Sequence, residues 1–402
     1  MKIAALVGGA LVLGAPLALL QAQDGDASAP AVQTETAAQP DLPEPAPVPE
    51  DIPVALLVDL STGQRLFERE PDRRFVPASV TKVMTAYTAF KLIGDGELNP
   101  ATRFQISEKL EEEWSGEGSS MFLKAGEQPT VGELILGTTT VSGNDASVAL
   151  AEASVGSLEA WLQLMNENAG DLGMRDTHFG GANGFPDGGT TYTTADDLAT
   201  LGEAIVTRYP GLYRRYFGKH GLTWGSITQA NHDPVTGRVD GADGLKTGYT
   251  GEAGFTFLGS AERNGRRLMM VLAGSPTGPI RDRAARELLG WGFDAFDQRL
   301  ILPAHAPVAS VEVQGGSATS VAVRLPDDLR VSEPAGATVP MTSELRYRGP
   351  VQAPIVEGAR IATLRLRFGD QPPFDVPLEA AESVPSANPF QRIARGLTAL
   401  FS

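Results

Sequence analysis

The sequence contains no cysteine, and this absence excludes several kinds of chemistry at once. A chain of 402 residues without a thiol has no disulfide framework, no thiolate metal site and no cysteine nucleophile. The absence does not identify a compartment, because an exported protein can do without disulfides. Histidine is also scarce, with four in the whole chain, which is little material for a metal site or a histidine-based relay. We therefore expect neither a metal ion nor any other cofactor.

Basic residues are the second shortage. Lysine and arginine together number 33 against 49 aspartates and glutamates, which gives a formal charge of -16 and an isoelectric point near 4.8. Nonspecific binding to nucleic acid needs a basic surface that neutralises phosphates, so no nucleic-acid partner is expected. The hydrophobic share of 42% and the chain length are those of a globular protein with two or three domains.

Residues 1–22 have the pattern of a secretory signal peptide. They begin Met-Lys and continue through the uncharged run IAALVGGALVLGAPLALL, with cleavage expected after Ala22. An uncleaved anchor is the alternative, because the apolar run approaches the length that spans a membrane. Residues 23–52 should form an extended acidic linker, since residues 24–53 hold seven prolines and seven acidic side chains but no lysine or arginine.

The last residues, 388–402, are predicted to form a short amphipathic helix. Asn388 can cap this helix, and Pro389 lies in the first turn, where a missing N–H costs nothing. Apolar residues recur at helical spacing and two arginines lie off that stripe: Phe390, Ile393, Leu397, Leu400 and Phe401, with Arg392 and Arg395. The segment is too short to span a bilayer, so we expect it to lie in an anionic membrane surface. A helix folded back on its own domain is the alternative.

Between the two ends, residues 53–298 carry the pattern of an α/β domain. The segments VALLVDL and QRLFERE flank a turn at 61–63 and predict a hairpin that opens a sheet. The segments AGFTFLGSAE and RRLMMVLAGS flank a turn at 263–265 and predict a second hairpin. Helical spacing predicts the helices that cover this sheet: VPASVTKVMTAYTAFKLIG, 131–170 with a break near 142–144, 194–207 and 280–296.

Residues 299–384 have a different pattern and are predicted to form a separate small β domain. The segments VASVEVQ, SVAVRLP and ATLRLRF alternate apolar and polar residues, which is the period of a strand with one buried face. In ATLRLRF, Leu364, Leu366 and Phe368 share one face, and the intervening arginines share the other. We expect this domain to act as a stalk above the membrane, and binding of a partner is the alternative.

Ser79 and Lys82 form the first pair with a chemical implication, at the start of a predicted helix with little charge. Their three-residue spacing places both side chains on one helical face. Free N–H groups in the first turn favour a developing alkoxide, and burial pushes lysine toward the neutral amine that a general base must be. A buried lysine paired with a carboxylate is the alternative, because Ser-x-x-Lys by itself is common.

Two further tripeptides strengthen this interpretation. Ser142-Gly143-Asn144 offers a hydroxyl and a carboxamide at the predicted break between two helices. Lys246-Thr247-Gly248 lies on a predicted strand, where lysine and threonine can bind an anion and glycine allows a substrate backbone to approach. Each tripeptide is unremarkable alone, whereas the three motifs in this order, on helix, loop and strand, form a strong signal.

The sequence resembles the low-molecular-mass penicillin-binding proteins, the serine-type D-alanyl-D-alanine carboxypeptidases of peptidase family S11. Besides the three motifs, the resemblance rests on PASVTKVMTAY, GSSMFLKAGEQPTVGELI, SGNDASVALAE, LGMRDTHF, GLKTGYTGEAGF and WGF. It is close over 50–298 and looser over 299–402, which resembles the family's β-rich C-terminal domain and amphipathic membrane-binding tail. The resemblance therefore implies a periplasmic protein peripherally attached to the inner membrane through that tail. The resemblance implies a transpeptidase-like catalytic domain, with an antiparallel sheet, flanking helices and a helical subdomain, followed by an all-β domain.

The resemblance also implies roles for the motif residues. Ser79 looks like the acylated nucleophile and Lys82 like its base, and the N–H groups of Ser79 and Tyr249 would form the oxyanion hole. The other motif residues would serve the leaving group and the substrate: Ser142 in proton transfer to the leaving amine, Asn144 in holding the peptide, Lys246 in supporting Ser142, Thr247 in binding the terminal carboxylate, and Gly248 in substrate approach. The implied reaction removes the terminal D-alanine from peptidoglycan stem pentapeptides, and β-lactam antibiotics would trap the acyl-enzyme.

Two segments depart from the usual family pattern, and three other functions compete with the carboxypeptidase. GFPDGGTTYTT and QANHDP lie outside the three motifs, so these departures leave the fine substrate preference open more than they affect the expected catalysis. A D-alanyl-D-alanine endopeptidase would use the same chemistry on cross-links. A class A β-lactamase should have a Glu-x-x-Leu-Asn run between Asn144 and Lys246, and no such run is present there. A catalytically silent cell-wall-binding module would not need three intact motifs.

Overall fold

A computed structural model of the chain describes residues 45–369 and 373–388. The chain divides into two compact units, with the break between Ala295 and Phe296. The predicted signal peptide, residues 1–22, lies outside the described residues. So does the predicted helix 388–402, apart from its first residue.

The first unit combines seven strands with eight helices in its described residues. The strands are β1 (Val54–Asp59), β2 (Gln64–Arg69), β3 (Gly221–Trp224), β4 (Ile227–Ala230), β5 (Ala242–Thr250), β6 (Gly254–Arg263) and β7 (Arg266–Ser275). The helices are α1 (Lys82–Gly94), α2 (Glu108–Trp114), α3 (Val131–Thr140), α4 (Asn144–Val155), α5 (Leu158–Leu172), α6 (Ala195–Arg208), α7 (Pro210–Tyr216) and α8 (Gly278–Asp294).

A five-stranded antiparallel sheet in the order β2-β1-β7-β6-β5 forms the centre of this unit. Both predicted hairpins are present, as β1–β2 and β6–β7. Asn264 and Gly265 both have positive φ, at 52° and 80°, which matches the tight turn that suits the twist of two antiparallel strands. The third pairing, β5 with β6, places the Lys246-Thr247-Gly248 strand at the edge of the sheet.

Helices cover both faces of this sheet. On one face α6 packs against β1 and β7, and a methyl group on Gly202 would contact Met269 and Leu258. On the other face lies α8, where Gly292 is close to Leu57 and Leu268. The sheet is therefore buried on both sides, which explains why its strands β6 and β7 have long apolar runs.

The helical break predicted near 142–144 is confirmed, because α3 ends at Thr140 and α4 begins at Asn144. Thr130 and Glu133 form a capping box that starts α3. The short helices α2 and α7 were not predicted, since seven residues are too few to show a clear apolar period.

Residues 45–52 differ from the extended linker predicted over 23–52. Val48 and Ile52 are buried, and Arg69 donates hydrogen bonds to three carbonyl oxygens of this segment, those of Val48, Pro49 and Ile52. The end of the predicted linker thus packs on the first unit. The proline-rich, acidic composition predicted that this segment is solvated. Two apolar side chains and one arginine partner are nevertheless enough to hold residues 45–52 against the first unit.

The second unit contains only strands among its described residues: β8 (Phe296–Leu302), β9 (Pro307–Gln314), β10 (Ser320–Arg324), β11 (Leu329–Pro334), β12 (Met341–Tyr347), β13 (Val351–Gln352), β14 (Arg360–Phe368) and β15 (Phe374–Ala380). They form a six-stranded sheet, β12-β14-β15-β10-β9-β13, and a two-stranded sheet, β11-β8. The alternation predicted for ATLRLRF is present in β14, where Leu364, Leu366 and Phe368 are buried. The domain boundary predicted between 298 and 299 falls inside β8.

Candidate active site

Ser79 lies in a single 3-10 turn, Ala78–Thr81, that leads directly into α1 at Lys82. The sequence predicted this serine in the first turn of the α-helix itself. The difference follows from Ala78, which has φ +49°, a conformation that L-residues rarely adopt and that an α-helix does not contain. A strained residue immediately before a reactive side chain is typical of functional sites.

Close packing of two glycines explains why the turn keeps this shape. Gly184 has φ +71°, and a methyl group there would lie 1.9 Å from the carbonyl oxygen of Ala78. A methyl group on Gly248 would lie 2.5 Å from the carbonyl oxygen of Pro77 and 3.2 Å from the amide nitrogen of Ser79. Real Cβ atoms do not come that close, so only glycine fits at either position.

Lys82 is fully buried and makes three short polar contacts through Nζ. It lies 2.9 Å from Ser79 Oγ, 2.8 Å from Asn144 Oδ1 and 2.6 Å from the carbonyl oxygen of Asn183. A neutral amine has two N–H groups and one lone pair. If the two amide oxygens accept the two N–H groups, the lone pair is left for the hydroxyl of Ser79.

Burial lowers the pKa of Lys82 well below that of an ordinary lysine. The positive charge of Lys246 lowers the pKa further, and the carboxylate of Asp145 acts in the opposite direction. None of the three groups within hydrogen-bonding distance of Nζ carries a charge. The described surroundings of Lys82 therefore favour the neutral amine, as the sequence analysis expected.

The second motif lies at the junction of α3 and α4. Ser142 is buried and has φ +62°, so the chain turns sharply at this residue. Asn144 opens α4, accepts from Lys82, and donates from Nδ2 to the carbonyl oxygen of Glu117 at 2.8 Å. The carboxamide thus connects the buried lysine to the 115–123 loop.

Asp145 fixes this loop from the next position in α4. Its buried carboxylate accepts hydrogen bonds from the N–H groups of Met121 and Leu123, at 2.8 and 3.0 Å, and from Ser120 Oγ at 2.7 Å. Hydrogen bonds to a charged acceptor are stronger than those between neutral groups. Nothing in the sequence marks Asp145 as special, because an acidic residue in the first turn of a helix is common.

The third motif, on β5, is almost completely buried at its first residue. Lys246 is 4% exposed, and its Nζ donates to the carbonyl oxygen of Thr247 at 2.9 Å. Burial, followed by the charge of Arg281, lowers the pKa of Lys246 to about 7, while Asp233 opposes the shift. Arg281 itself is buried on α8 and donates to Asp282 and to the carbonyl oxygen of Thr256.

Tyr249 lies at the exposed end of this strand. Its side chain is 58% exposed and stacks on Phe255 of β6, with ring centroids 4.2 Å apart. Its backbone follows Gly248, the residue that packs against the Ser79 turn. The N–H of Tyr249 therefore belongs to the residue directly after the one that packs on the Ser79 turn, which agrees with the oxyanion-hole role that the resemblance implies.

The structure brings the three predicted motifs to one place. The Lys82–Asn144 hydrogen bond connects the first motif to the second, and the contact of Gly248 with the Ser79 turn connects the first to the third. Sequence reasoning missed Asn183, whose contribution to Lys82 is a backbone carbonyl and leaves no signal in the residue type. Arg281 was also missed, because its helix contains two other arginines.

Comparisons with known proteins agree with this geometry. A family model described as D-alanyl-D-alanine carboxypeptidase, peptidase family S11, matches residues 46–277. The chain belongs to this carboxypeptidase family. A second family model, described as the C-terminal domain of penicillin-binding protein 5, matches residues 296–386. The identification as a low-molecular-mass penicillin-binding protein of the serine carboxypeptidases is thereby confirmed.

Individual members of the carboxypeptidase family align over most of the chain. The D-alanyl-D-alanine carboxypeptidase DacD of Salmonella typhimurium is 32% identical over 360 residues, which are 87% of this chain and 90% of the relative. The structure of penicillin-binding protein 5 from Haemophilus influenzae is similar with a TM-score of 0.73 and 28% identity, covering 87% of this chain and all of that one. The predicted fold class is confirmed.

One similar structure contains a bound β-lactam. Penicillin-binding protein D2 from Listeria monocytogenes in its ampicillin-bound form has a TM-score of 0.55 and 27% identity, covering 61% of this chain and 98% of that one. Within residues 45–369 and 373–388, no cluster of side chains could hold a metal ion, and no helix is long and apolar enough to cross a membrane.

Proposed function

We propose that Ser79 is the nucleophile with which this D-alanyl-D-alanine carboxypeptidase releases the terminal D-alanine of peptidoglycan stem pentapeptides. The observation that carries the proposal is the buried Lys82 amine, 2.9 Å from Ser79 Oγ and surrounded by uncharged acceptors. A serine hydroxyl is a weak nucleophile, and a positioned base contributes roughly 10² to 10⁴-fold to the rate.

Acylation follows from this arrangement. Lys82 takes the hydroxyl proton as Ser79 Oγ attacks the carbonyl carbon of the penultimate D-alanine. The N–H groups of Ser79 and Tyr249 stabilise the resulting oxyanion, and one such donor contributes about 3 to 4 kcal/mol. The C–N bond then breaks, and the departing D-alanine nitrogen receives a proton through Ser142. Water later hydrolyses the ester, which releases the shortened peptide as a carboxylate and restores the serine.

The cationic side of the site suits the terminal carboxylate of the substrate. Lys246 and Arg281 are both buried. Arg281 is paired with Asp282 at 2.7 Å, whereas the amine of Lys246 donates to a carbonyl oxygen, that of Thr247. Thr247 adds a hydroxyl beside them. We assign the binding of the D-alanine carboxylate to Thr247 with support from Lys246, and the positioning of the scissile peptide to Asn144 and Gly248.

Penicillins should trap the same intermediate. Ser79 Oγ would attack the β-lactam carbonyl, the ring C–N bond would open, and the ring nitrogen would take the proton, leaving a penicilloyl ester on Ser79. Family membership and the ampicillin-bound structure of the Listeria relative support this expectation. The matches to carboxypeptidases favour neither the endopeptidase nor the β-lactamase.

Two experiments test the assignment. Purified protein and its Ser79→Ala variant are incubated with a fluorescent penicillin and examined as intact masses, and only the unmodified protein should gain a penicilloyl mass. Covalent labelling of the variant would contradict the assignment. In the second experiment, defined muropeptides are digested and the products weighed. Loss of a single alanine from pentapeptides is expected, whereas cleavage of cross-linked dimers alone would identify an endopeptidase.

For location, we propose export by residues 1–22 and attachment to the inner membrane through residues 388–402. The support is the charge and hydropathy pattern of the two ends and the membership in a family of penicillin-binding proteins. Full-length protein should bind vesicles that contain anionic phospholipid, and protein that ends at Asn388 should not. Equal binding by both proteins would contradict the helix assignment.

A further inference from the structure

Two aromatic side chains from separate parts of the chain meet beside the candidate active site. Trp114 ends α2, and Phe185 lies in the loop between α5 and α6. Their rings pack edge to face, with centroids 5.6 Å apart and an angle of 88° between the planes. Phe185 is nevertheless 40% exposed, so part of an apolar ring faces solvent at this position.

The tryptophan side of the pair is joined to Asn144. The carbonyl oxygen of Glu117, three residues after Trp114, accepts from Asn144 Nδ2 at 2.8 Å. A methyl group on the next residue, Gly118, would lie 2.9 Å from the same Nδ2 and 4.0 Å from Cε2 of Phe185. The ring of Phe185 and the carboxamide of Asn144 thus both lie next to the same glycine.

The phenylalanine side is joined to the nucleophile and its base. Asn183 accepts from Lys82 through its carbonyl oxygen at 2.6 Å, and its Oδ1 accepts the N–H of Phe185 at 3.0 Å. Gly184, between them, packs directly on the carbonyl oxygen of Ala78. These contacts fix the backbone of Phe185 relative to Ser79, so the exposed ring has a defined place in the site.

We propose that the Trp114–Phe185 pair binds the apolar side chain on the acyl side of the substrate. In a stem peptide this is the hydrocarbon chain of the residue before the two D-alanines, and in a penicillin it is the acyl substituent. The inference rests on the proposed acylation of Ser79. The exposed ring of Phe185 would contact the acyl part of the ligand, which remains on the enzyme after D-alanine has left.

The charge distribution supports this orientation. Lys246 and Arg281, on β5 and α8, attract the carboxylate of the leaving D-alanine, whereas the acyl part carries no anion next to the scissile bond. An apolar chain laid on Phe185 removes exposed aromatic surface from water, and aromatic rings contribute beyond the area that they bury. The pair therefore acts as a specificity determinant and takes no part in proton transfer.

The test compares two penicillins that differ only in the acyl substituent. Benzylpenicillin carries a phenylacetyl group, and 6-aminopenicillanic acid carries none. Acylation of Ser79 is followed by intact mass over time for the unmodified protein and for Phe185→Ala. We expect the second-order acylation rate of Phe185→Ala to fall about tenfold with benzylpenicillin, the size typical of a lost apolar contact, and to stay unchanged with 6-aminopenicillanic acid.

Matched variants separate recognition from folding. Leu300, in β8 of the second unit, has a similar exposure of 43%, so Leu300→Ala should leave both rates unchanged. Phe185→Leu should recover part of the benzylpenicillin rate, because it restores apolar surface. Equal losses with both penicillins, or no loss with either, would overturn the inference while leaving the proposed function intact. Failure of the unmodified protein to be acylated by either compound would instead overturn the proposed function.

Discussion

Charged side chains have opposite surroundings in the active site of the first unit and in the second unit. In the second unit, arginines meet carboxylates: Arg299 pairs with Glu333 at 2.7 Å, and Arg365 pairs with Asp375 through two hydrogen bonds. Hydrogen bonds to these partners raise the pKa of both arginines. In the first unit, burial lowers the pKa of Lys82 and of Lys246, and no carboxylate is bonded to either among the described residues.

This difference separates structural charges from chemical ones. A charge whose surroundings stabilise it holds the fold, whereas a charge that its surroundings oppose is available for proton transfer. The first unit has structural charges too, because Asp59 and Arg266 form a buried pair at 2.7 Å. The contrast is therefore between the active site and the rest of the molecule, and four substitutions can break or sharpen it.

The largest effect is expected from Lys82→Met. Removing the general base should lower the rate of acylation by penicillin about 10² to 10⁴-fold. The matched control is Arg299→Met in the second unit. This substitution removes a cation that is paired with a carboxylate, and it should leave the acylation rate unchanged. Both rates are measured by intact mass over time. A Lys82→Met protein that acylates within a few fold of the unmodified rate would contradict the role of the amine.

Gly184→Ala is expected to have the next largest effect. The substitution combines a positive φ of 71° with a methyl group 1.9 Å from the carbonyl oxygen of Ala78, so it should destabilise the first unit by about 3 kcal/mol. Gly358→Ala in the second unit has φ +81° but no heavy atom closer than 3.9 Å, so it should cost only about 1 kcal/mol.

The sequence provides a convenient probe for the first of these measurements. All four tryptophans lie in the first unit, so tryptophan fluorescence during urea unfolding reports on that unit alone. Hydrogen exchange measured by mass spectrometry follows the second unit. If the two glycine substitutions cost the same, the close packing of Gly184 against the nucleophile turn is wrong.

Asp145→Asn should destabilise the first unit by about 2 kcal/mol, because a buried carboxylate that accepts four hydrogen bonds is replaced by a group that cannot accept all of them. Asp375→Asn removes a carboxylate that is 45% exposed, and exposed ion pairs contribute less than about 1 kcal/mol. Urea unfolding of the first unit and hydrogen exchange of the second compare the two. Similar losses would show that Asp145 does not clamp its loop.

The smallest effect per step of the measurement, here one pH unit, concerns the dependence of stability on pH. The pKa of Lys246 is lowered to about 7 from 10.5, so between these values the unfolded chain holds a proton that the folded chain lacks. Stability should therefore rise with pH across this window, by up to about 1.4 kcal/mol per pH unit for one proton. Lys246→Met should remove that contribution to the slope. Parallel slopes for the two proteins would contradict the lowered pKa.

The sequence was sufficient for the elements whose pattern is local. Apolar alternation predicted β14, Asn264-Gly265 predicted the β6–β7 turn, and helical spacing predicted α1. The three motifs were recognisable because the chemistry needs specific residue types. The predicted domain limits at 23–52 and 298–299, by contrast, were inferred from composition, and both differ from the structure. The composition of a segment does not show whether a few of its side chains, such as Val48 and Ile52, pack against the domain.

What the sequence could not provide depends on contacts between distant segments. The 3-10 turn at Ser79 is held by Gly184 and Gly248, which are far away in the chain. The partner that orients Lys82 is a backbone carbonyl of Asn183, and every residue has such a carbonyl. Asp145 was visible as an acid beside Asn144, but its loop partners become evident only when the fold brings Ser120 to Leu123 against it.

The central claim is that the amine of Lys82 is held neutral beside Ser79, and the titration of that amine tests it most directly. Protein with isotopically labelled lysine is titrated by NMR, and Lys82→Met identifies the signal. The account predicts that the Lys82 signal titrates well below the 10.5 of an ordinary lysine. A Lys82 amine that stays protonated up to that value would contradict the account, because it could not accept the proton of Ser79.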